Sequence, residues 1–520
     1  LIPTGPGFDE ANEAAGVAAP EPPQRDGAEN AAPDFLSTPA AGPAAVRGGA
    51  LRVTAFLAGA LVSILAAALL FRHLGPDATG RYVYALTLVA IVGAMSDLGL
   101  TAVGVREMAG LPAEERWPIA RDLLGLRITL TAVGGVVVTG LAWATYGPTL
   151  AFGVVLASIG LLLQATQDNF SLPLLLSLRL GWLSVLDFTR TLLTTLITIA
   201  LVLLGASLVP FLAISIPVGV ALLGATVALV RRTRALTPTF SLRRWRAFIG
   251  KVLPYTFAVA ASALYFRLAI LLVSALSNGR QLGYFAASFR VIEVLTLIPG
   301  LLIGAAFPIF ARAARDDHER LGYAVGRVFD VSMIVGAWAA VSIAVGAPLA
   351  IHVIGGHRFQ AAIPVLAVQG IGLGAMFVSL VWANTLLSLG VYRLILVINV
   401  AALLVNAALL GVLVPLDGAR GAAFATAGAE IVAIVVQAIA VVHGRPALRP
   451  SLRAVPFVAL AAGAGLTPLA MTALPVIVRV LISTILFGAV VLVTRTAPRE
   501  MLDLVPPIVG RTRDRLRGGT

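Results

Sequence analysis

From Ala50 to Thr494 the chain is an almost unbroken series of apolar runs, each about twenty residues or longer and each closed by Gly, Pro or a knot of charge. At 1.5 Å of rise per residue, about twenty apolar residues match the roughly 30 Å hydrocarbon layer of a bilayer. Each run is thus long enough to cross the bilayer as a helix. The pattern therefore predicts an all-α polytopic membrane protein. Only 12% of the 520 residues are charged and 59% are apolar, where a soluble domain carries about 25% charge. Boundaries set by Gly, Pro and charge give about 14 transmembrane helices, from 50–71 to 475–494, the last two separated by little more than Pro475.

The chain has no cysteine, which removes disulfides, thiolate nucleophiles and thiolate metal sites. A net charge of +13 could suggest nucleic acid, but the arginines are dispersed over the short segments between apolar runs, so no nucleic-acid partner is expected. They fall mostly on one side. Arg231, Arg232, Arg234, Arg243, Arg244 and Arg246 crowd one connection, and Arg511, Arg513, Arg515 and Arg517 the C-terminal tail, whereas alternate connections hold little beyond Arg72, Arg81, Arg280, Arg358 and Arg420. The bias predicts that both termini are cytoplasmic.

Residues 1–46 are rich in Pro, Ala, Gly, Glu and Asp and have too few large apolar side chains to order themselves. A disordered cytoplasmic tail is expected there, with a second, basic tail at 495–520. The apolar part repeats itself: GPDATGRYVYALTLVAIV entering the second span resembles NGRQLGYFAASFRVIEVL entering the eighth, with Gly80 and Tyr82 answering Gly283 and Phe285. Six spans is an even offset, so the copies share one orientation, the plan of parallel-repeat transporters. The expected organisation is two parallel six-helix lobes, 47–230 and 251–442, joined by a basic linker at 231–250 and followed by two additional C-terminal helices within 443–494.

Two intramembrane arginines stand out, because charge in hydrocarbon is costly and marks function or pathway. Arg267 precedes the polar turn 277–281 and Arg290 follows it. In an antiparallel pair, with the second helix starting at Leu282, both would lie roughly 12 Å below one membrane face. Two guanidiniums at one depth suit an anion between them, since each binds phosphate oxygens through paired charge-assisted hydrogen bonds. Glu293, three residues after Arg290, is either a release or coupling group or the arginine's intrahelical partner.

Other intramembrane polar groups are ranked below these. Glu430 lies alone in an apolar helix and is a candidate proton-titrating group. Gln164 and Asp168 are candidates for lining a cavity; Asp187 and Arg190 are expected to neutralise one another at i, i+3, and Asp97 to cap its helix or meet Arg106. Pro254, Pro299 and Pro308 interrupt the seventh and eighth spans and are candidate hinges, each removing a backbone hydrogen bond.

Four stretches carry a family resemblance: RHLGPDATGRYVYALTLVAIVGAMSDLGL at 72–100, LGYFAASFRVIEVLTLIPGLLIGAAFPIFARAA at 282–314, GGHRFQAAIPVLAVQG at 355–370 and DGARGAAFATAGAEIVAIVVQ at 417–437. They resemble the polysaccharide-biosynthesis flippases, the O-antigen and exopolysaccharide repeat-unit translocases of the multidrug/oligosaccharidyl-lipid/polysaccharide exporter superfamily. The resemblance implies alternating-access flipping of undecaprenyl-diphosphate-linked glycan in the bacterial inner membrane; the physical reading of the two intramembrane arginines agrees with that substrate independently and makes Arg267 and Arg290 the expected headgroup ligands. Membrane lipids and other polysaccharide assembly proteins are the further partners it implies, and no cofactor. The chain departs from the family at one point: where members often carry an Arg-Ile-Asp-like triplet, it reads Arg267, Leu268, Ala269.

Enzyme signatures are absent from the sequence. There is no Walker-type phosphate loop and no HExxH, and His73, His318, His352, His357 and His443 lie at segment ends without metal-ligand spacing. A membrane glycosyltransferase or polymerase would need a large outer loop, and the outer segments are short. The closer alternatives are a flippase for lipid-linked peptidoglycan precursor or a related drug exporter, though a cation exporter calls for acidic cavity groups and the strongest signals here are basic.

Overall fold

The computed structural model describes residues 41–97, 99–109, 111–176, 180–230, 237–246, 264–265, 267–316 and 318–496. Two compact units are distinguished, 1–54 and 55–520. In the first, residues 41–54 are helical; the second carries the rest of the described chain. Among the described residues the chain is helical with no strand. The N-terminal half holds α1 (Ala41–Asp97), α2 (Leu100–Ala109), α3 (Ala113–Tyr146), α4 (Pro148–Phe170), α5 (Leu172–Leu176), α6 (Leu180–Leu203), α7 (Leu208–Ala213) and α8 (Ser215–Leu229). The C-terminal half holds α9 (Arg267–Leu276), α10 (Gly279–Leu295), α11 (Leu297–Asp316), α12 (His318–Gly355), α13 (Ile363–Ser388) and α14 (Tyr392–Gly444), followed by α15 (Val455–Leu466) and α16 (Val476–Val493).

Ten helical stretches among the described residues are long and apolar enough to cross a membrane. That criterion does not establish the expected number of fourteen, and the reason is local. Helix α1 is broken at Gly75, whose φ of 74° is left-handed backbone, and α14 at Asp417 and Gly418, where φ at the glycine is 52°. The α12 and α13 helices run on through a 3-10 turn, Gly356–Ala362. At 1.5 Å per residue, the 57 residues of α1 would reach about 86 Å unbroken, far beyond a bilayer. The outward surface is apolar, with Leu203 81% and Val493 83% exposed. In water such faces would be a liability; in lipid they are the solvent-facing side. This is a multi-pass membrane protein.

The turns at Gly75, Tyr146–Gly147, Ser277–Asn278, Gly356 and Gly418 meet at one end of the bundle, here called the upper face. The Tyr146 hydroxyl lies 3.0 Å from Ser274 Oγ, and Arg72 donates to the His352 carbonyl at 2.8 Å. Asn278 caps α10 by accepting from the Gln281 N–H at 3.0 Å, and Gln281 Oε1 in turn accepts the Ala419 N–H at 3.1 Å, capping the second arm of α14. The repeated glycines make the closest approach. A Cβ on Gly80 would lie 2.0 Å from the Gly279 carbonyl oxygen, and one on Gly283 would lie 1.9 Å from the Pro76 carbonyl oxygen. Equating Gly80 with Gly283, as the repeat does, equates Pro76 with Gly279. One contact therefore maps onto the other, as in an isologous interface.

At the opposite end, buried Arg127 of α3 hydrogen-bonds Asp97 and donates to Thr101 Oγ1 at 2.7 Å, while Thr101 donates to Asp97 at 2.7 Å. Asp97 thus pairs with Arg127, where the sequence suggested a cap or Arg106. Removing the carboxylate would strand a guanidinium only 5% exposed. Asp97→Ala is expected to lose about 1.5–3 kcal/mol, discounted because Asp97 itself is half exposed. A thermal-unfolding shift of a few degrees in detergent tests this; Asp97→Asn, which can still accept one bond, should lose less. Residues 237–246 dock on the start of α3: Arg244 pairs with Asp122 at 2.9 Å, and Trp245 Nε1 donates to the Asp122 carbonyl at 3.2 Å. Arg231, Arg232 and Arg234 lie outside the described residues.

Candidate functional site

A cavity of about 660 Å³ lies between the two halves, walled by α1, α4, α6 and α8 on one side and by α9 and α10 on the other. Arg267, Arg290, Glu293 and Gln164 all line it. The sequence thus named four groups that the fold brings to one chamber. Helix α10 begins at Gly279, three residues before the expected start, because Asn278 caps it. Arg290 is consequently about 16.5 Å below the upper end of its helix and Arg267 about 13.5 Å. The depths differ by about 3 Å, a little more than half a turn.

The two arginines differ in their bonding. Arg290 pairs with Glu293 at 2.5 Å and hydrogen-bonds Ser63 Oγ of α1, yet its Nε is buried with no partner among the described residues. The intrahelical pair expected of these two residues is therefore made, and it leaves a donor over. Arg267 has no hydrogen-bond or ion-pair partner among the described residues. With two guanidiniums against one carboxylate, the cavity carries an excess of positive charge.

The remaining groups sort differently. Asp168 lies one helical turn beyond Gln164 and does not line the cavity; it faces Arg190 at 3.9 Å. Arg190 also hydrogen-bonds Gln167 Oε1, so it is engaged by α4 and not by Asp187, its expected neighbour on α6. Inter-helix partners outcompete the i, i+3 pair because Asp187 points outward and is exposed. Glu430 is not alone: the Tyr265 hydroxyl donates to it at 2.7 Å. The α10–α11 break falls at Thr296, three residues before Pro299, and Pro308 lies inside α11, while Pro254 is outside the described residues.

Sequence reading passed over the hydroxyls. Ser63, Thr194, Thr198 and Ser215 also line the chamber. The i, i+4 spacing of Thr194 and Thr198, which puts both on one face of α6, is the signal that could have exposed two of them.

The profile of a family described as "Polysaccharide biosynthesis protein" matches residues 69–364, more than half of the chain. The chain belongs to that family. The matched span of this polysaccharide-biosynthesis family member includes every described residue that lines the main cavity except Ser63, Ala66 and Ala67. Among solved structures it is similar to the lipid II flippase MurJ in an inward closed conformation, with a TM-score of 0.70 and 11% identity, over 87% of this chain and 99% of that one. An inward-facing multidrug-resistance MATE transporter of the MOP superfamily aligns at TM-score 0.57 and 15% identity, covering 75% of this chain and 95% of that one. A MOP-superfamily transporter from Pyrococcus furiosus, described as having a binding pocket of reverse polarity, aligns at TM-score 0.50 and 15% identity over 77% and 95%. At these identities the likeness concerns the fold, which this family member shares with flippases and transporters. A comparison with curated protein sequences finds no match.

Proposed function

We propose that this protein flips undecaprenyl-diphosphate-linked oligosaccharide repeat units from the cytoplasmic to the outer leaflet of the bacterial inner membrane, for polysaccharide biosynthesis. The observation that carries the reading is the cationic chamber between the halves, lined by Arg267 and by Arg290, whose buried Nε has no partner among the described residues. A diphosphate crossing hydrocarbon must exchange its hydration for protein donors, and guanidinium supplies them in pairs. The membrane-flippase fold and the polysaccharide-biosynthesis family support the same passenger class.

In this reading the upper face is extracytoplasmic, both termini are cytoplasmic, and the repeat-related halves, 47–230 and 251–442, rock about the Gly80–Gly283 contact. Glu293 competes with the diphosphate for Arg290 and assists release. Bending at the α10–α11 break, near Pro299 and Pro308, accompanies opening. The polyprenyl tail stays in lipid.

Purified full-length protein in proteoliposomes tests this with three labelled passengers: undecaprenyl-diphosphate oligosaccharide, the lipid-linked peptidoglycan precursor and a cationic dye. Flipping of the oligosaccharide lipid above the protein-free rate is the expected result. Transport of the dye with no lipid flipping would overturn the reading, and flipping of the peptidoglycan precursor alone would replace the passenger.

A further inference from the structure

A second, smaller chamber opens within the C-terminal half beside the first. Its volume is about 280 Å³, and it shares Arg267, Phe289 and Glu293 with the main cavity. Its far wall is made by α13 and both arms of α14. Gln369, Gly372, Leu373 and Met376 form one stripe of α13, facing Asn406 on the first arm of α14 and Thr426 and Glu430 on the second.

The polar groups of this wall are poised for a ligand. Gln369 is 5% exposed, and both its Oε1 and Nε2 lack any hydrogen-bond partner among the described residues; Asn406 is 2% exposed, and its Oδ1 lacks one too. Buried amides are ordinarily paired, and leaving them unpaired is unfavourable. An amide presents a donor and an acceptor side by side, which matches adjacent hydroxyls, each able to donate and to accept. Opposite stand Phe285 and Phe289, stacked at 5.9 Å between ring centroids, an apolar wall of the kind that fills out small-molecule sites. At about 280 Å³ the chamber stands near the lower end of small-molecule sites, with room for a sugar ring. A bare cation is a poorer occupant: Arg267 stands in the wall, and the Glu430 carboxylate already accepts from Tyr265 at 2.7 Å.

We infer that this side chamber is a sugar subsite, in which Gln369 and Asn406 read the hydroxyls of the glycan residue next to the diphosphate held at Arg267. The inference rests on the proposed headgroup site and adds to it which part of the passenger the C-terminal half selects. Polar pockets of this kind discriminate strongly, because an analogue lacking the matching hydroxyl leaves the buried amides unpaired.

Equilibrium binding to the purified full-length protein separates the two readings. The probes are undecaprenyl diphosphate without sugar and undecaprenyl-diphosphate monosaccharides carrying glucose, galactose, mannose or N-acetylglucosamine. Wild type should bind at least one monosaccharide lipid roughly tenfold more tightly than the bare diphosphate. Gln369→Ala and Asn406→Ala should erase that increment and leave the bare-diphosphate affinity unchanged, which also shows that the variants are folded. Gln369→Asn, which keeps an amide on a shorter arm, should retain part of it or shift the preferred sugar. Arg267→Ala should instead weaken all probes alike. Absence of any sugar increment in wild type, or an increment untouched by both alanine variants, overturns the subsite. An increment that vanishes when sodium is replaced by choline assigns the chamber to a cation and overturns it as well. Failure of wild type to bind the bare diphosphate counts against the headgroup reading alone.

Discussion

Replacing Arg267 by alanine is expected to lower the affinity for undecaprenyl diphosphate by roughly two orders of magnitude and to abolish flipping. Truncating one charged partner of a desolvated pair typically costs 2–5 kcal/mol, and among the described residues Arg267 has no other partner to keep it from that role. Arg290→Ala should weaken binding less, because Arg290 already divides its donors among Glu293 and Ser63. Glu293→Gln supplies the internal check: by releasing Arg290 it should tighten headgroup binding while slowing turnover. Since Arg267 pairs with none of the described residues, its loss should leave thermal stability almost unaltered, and that separates a ligand from a structural charge. Unchanged diphosphate affinity in both arginine variants would mean that the anion binds elsewhere.

The second large effect is steric. Gly283→Val would drive a side chain into the Pro76 carbonyl, and the Cβ alone would lie 1.9 Å from that oxygen. Backbone cannot yield as a flexible side chain does, so the upper contact must part. Overpacking of this sort costs about 1–3 kcal/mol or more, and a closed state raised by that amount opens roughly 5- to 150-fold more often. Because the chain has no cysteine, a single Ala286→Cys in the main chamber reports the change without further engineering. Its labelling by an impermeant thiol reagent from the outer side should accelerate in the Gly283→Val background while flipping is lost. Gly80→Val should do the same, since its clash with the Gly279 carbonyl is the repeat-related counterpart. Equal labelling rates in all three proteins would show that this contact does not gate the chamber.

The fold class was legible because lipid imposes a single periodic demand, twenty apolar residues at a time; Gly80 and Gly283, which the sequence sets in correspondence, meet the same steric requirement at the upper contact. Arg267, Arg290 and Glu293 were legible for the opposite reason: charge in hydrocarbon is expensive, so its presence is conspicuous. What escaped was whatever is neither charged nor periodic. Gln369 and Asn406 lie on two successive helices with no spacing that links them, and each alone resembles a tolerated polar residue. The partner of Asp97 was missed because Arg127 sits early in an apolar run, where it reads as a helix-end cation. Arg190 was assigned to Asp187 because spacing along one helix is visible in a sequence, whereas the crossing of α6 over α4 is not.

Arg267 and Glu293 each face both chambers. Where two occupants that share a wall influence one another, thermodynamic linkage makes that influence reciprocal. If filling the side chamber raises the affinity of the main one by some factor, the main one must raise the side chamber's by the same factor. A passenger correct at only one end would then forfeit this mutual gain, so the common wall would let the protein recognise a finished lipid-linked unit more sharply than the product of its parts.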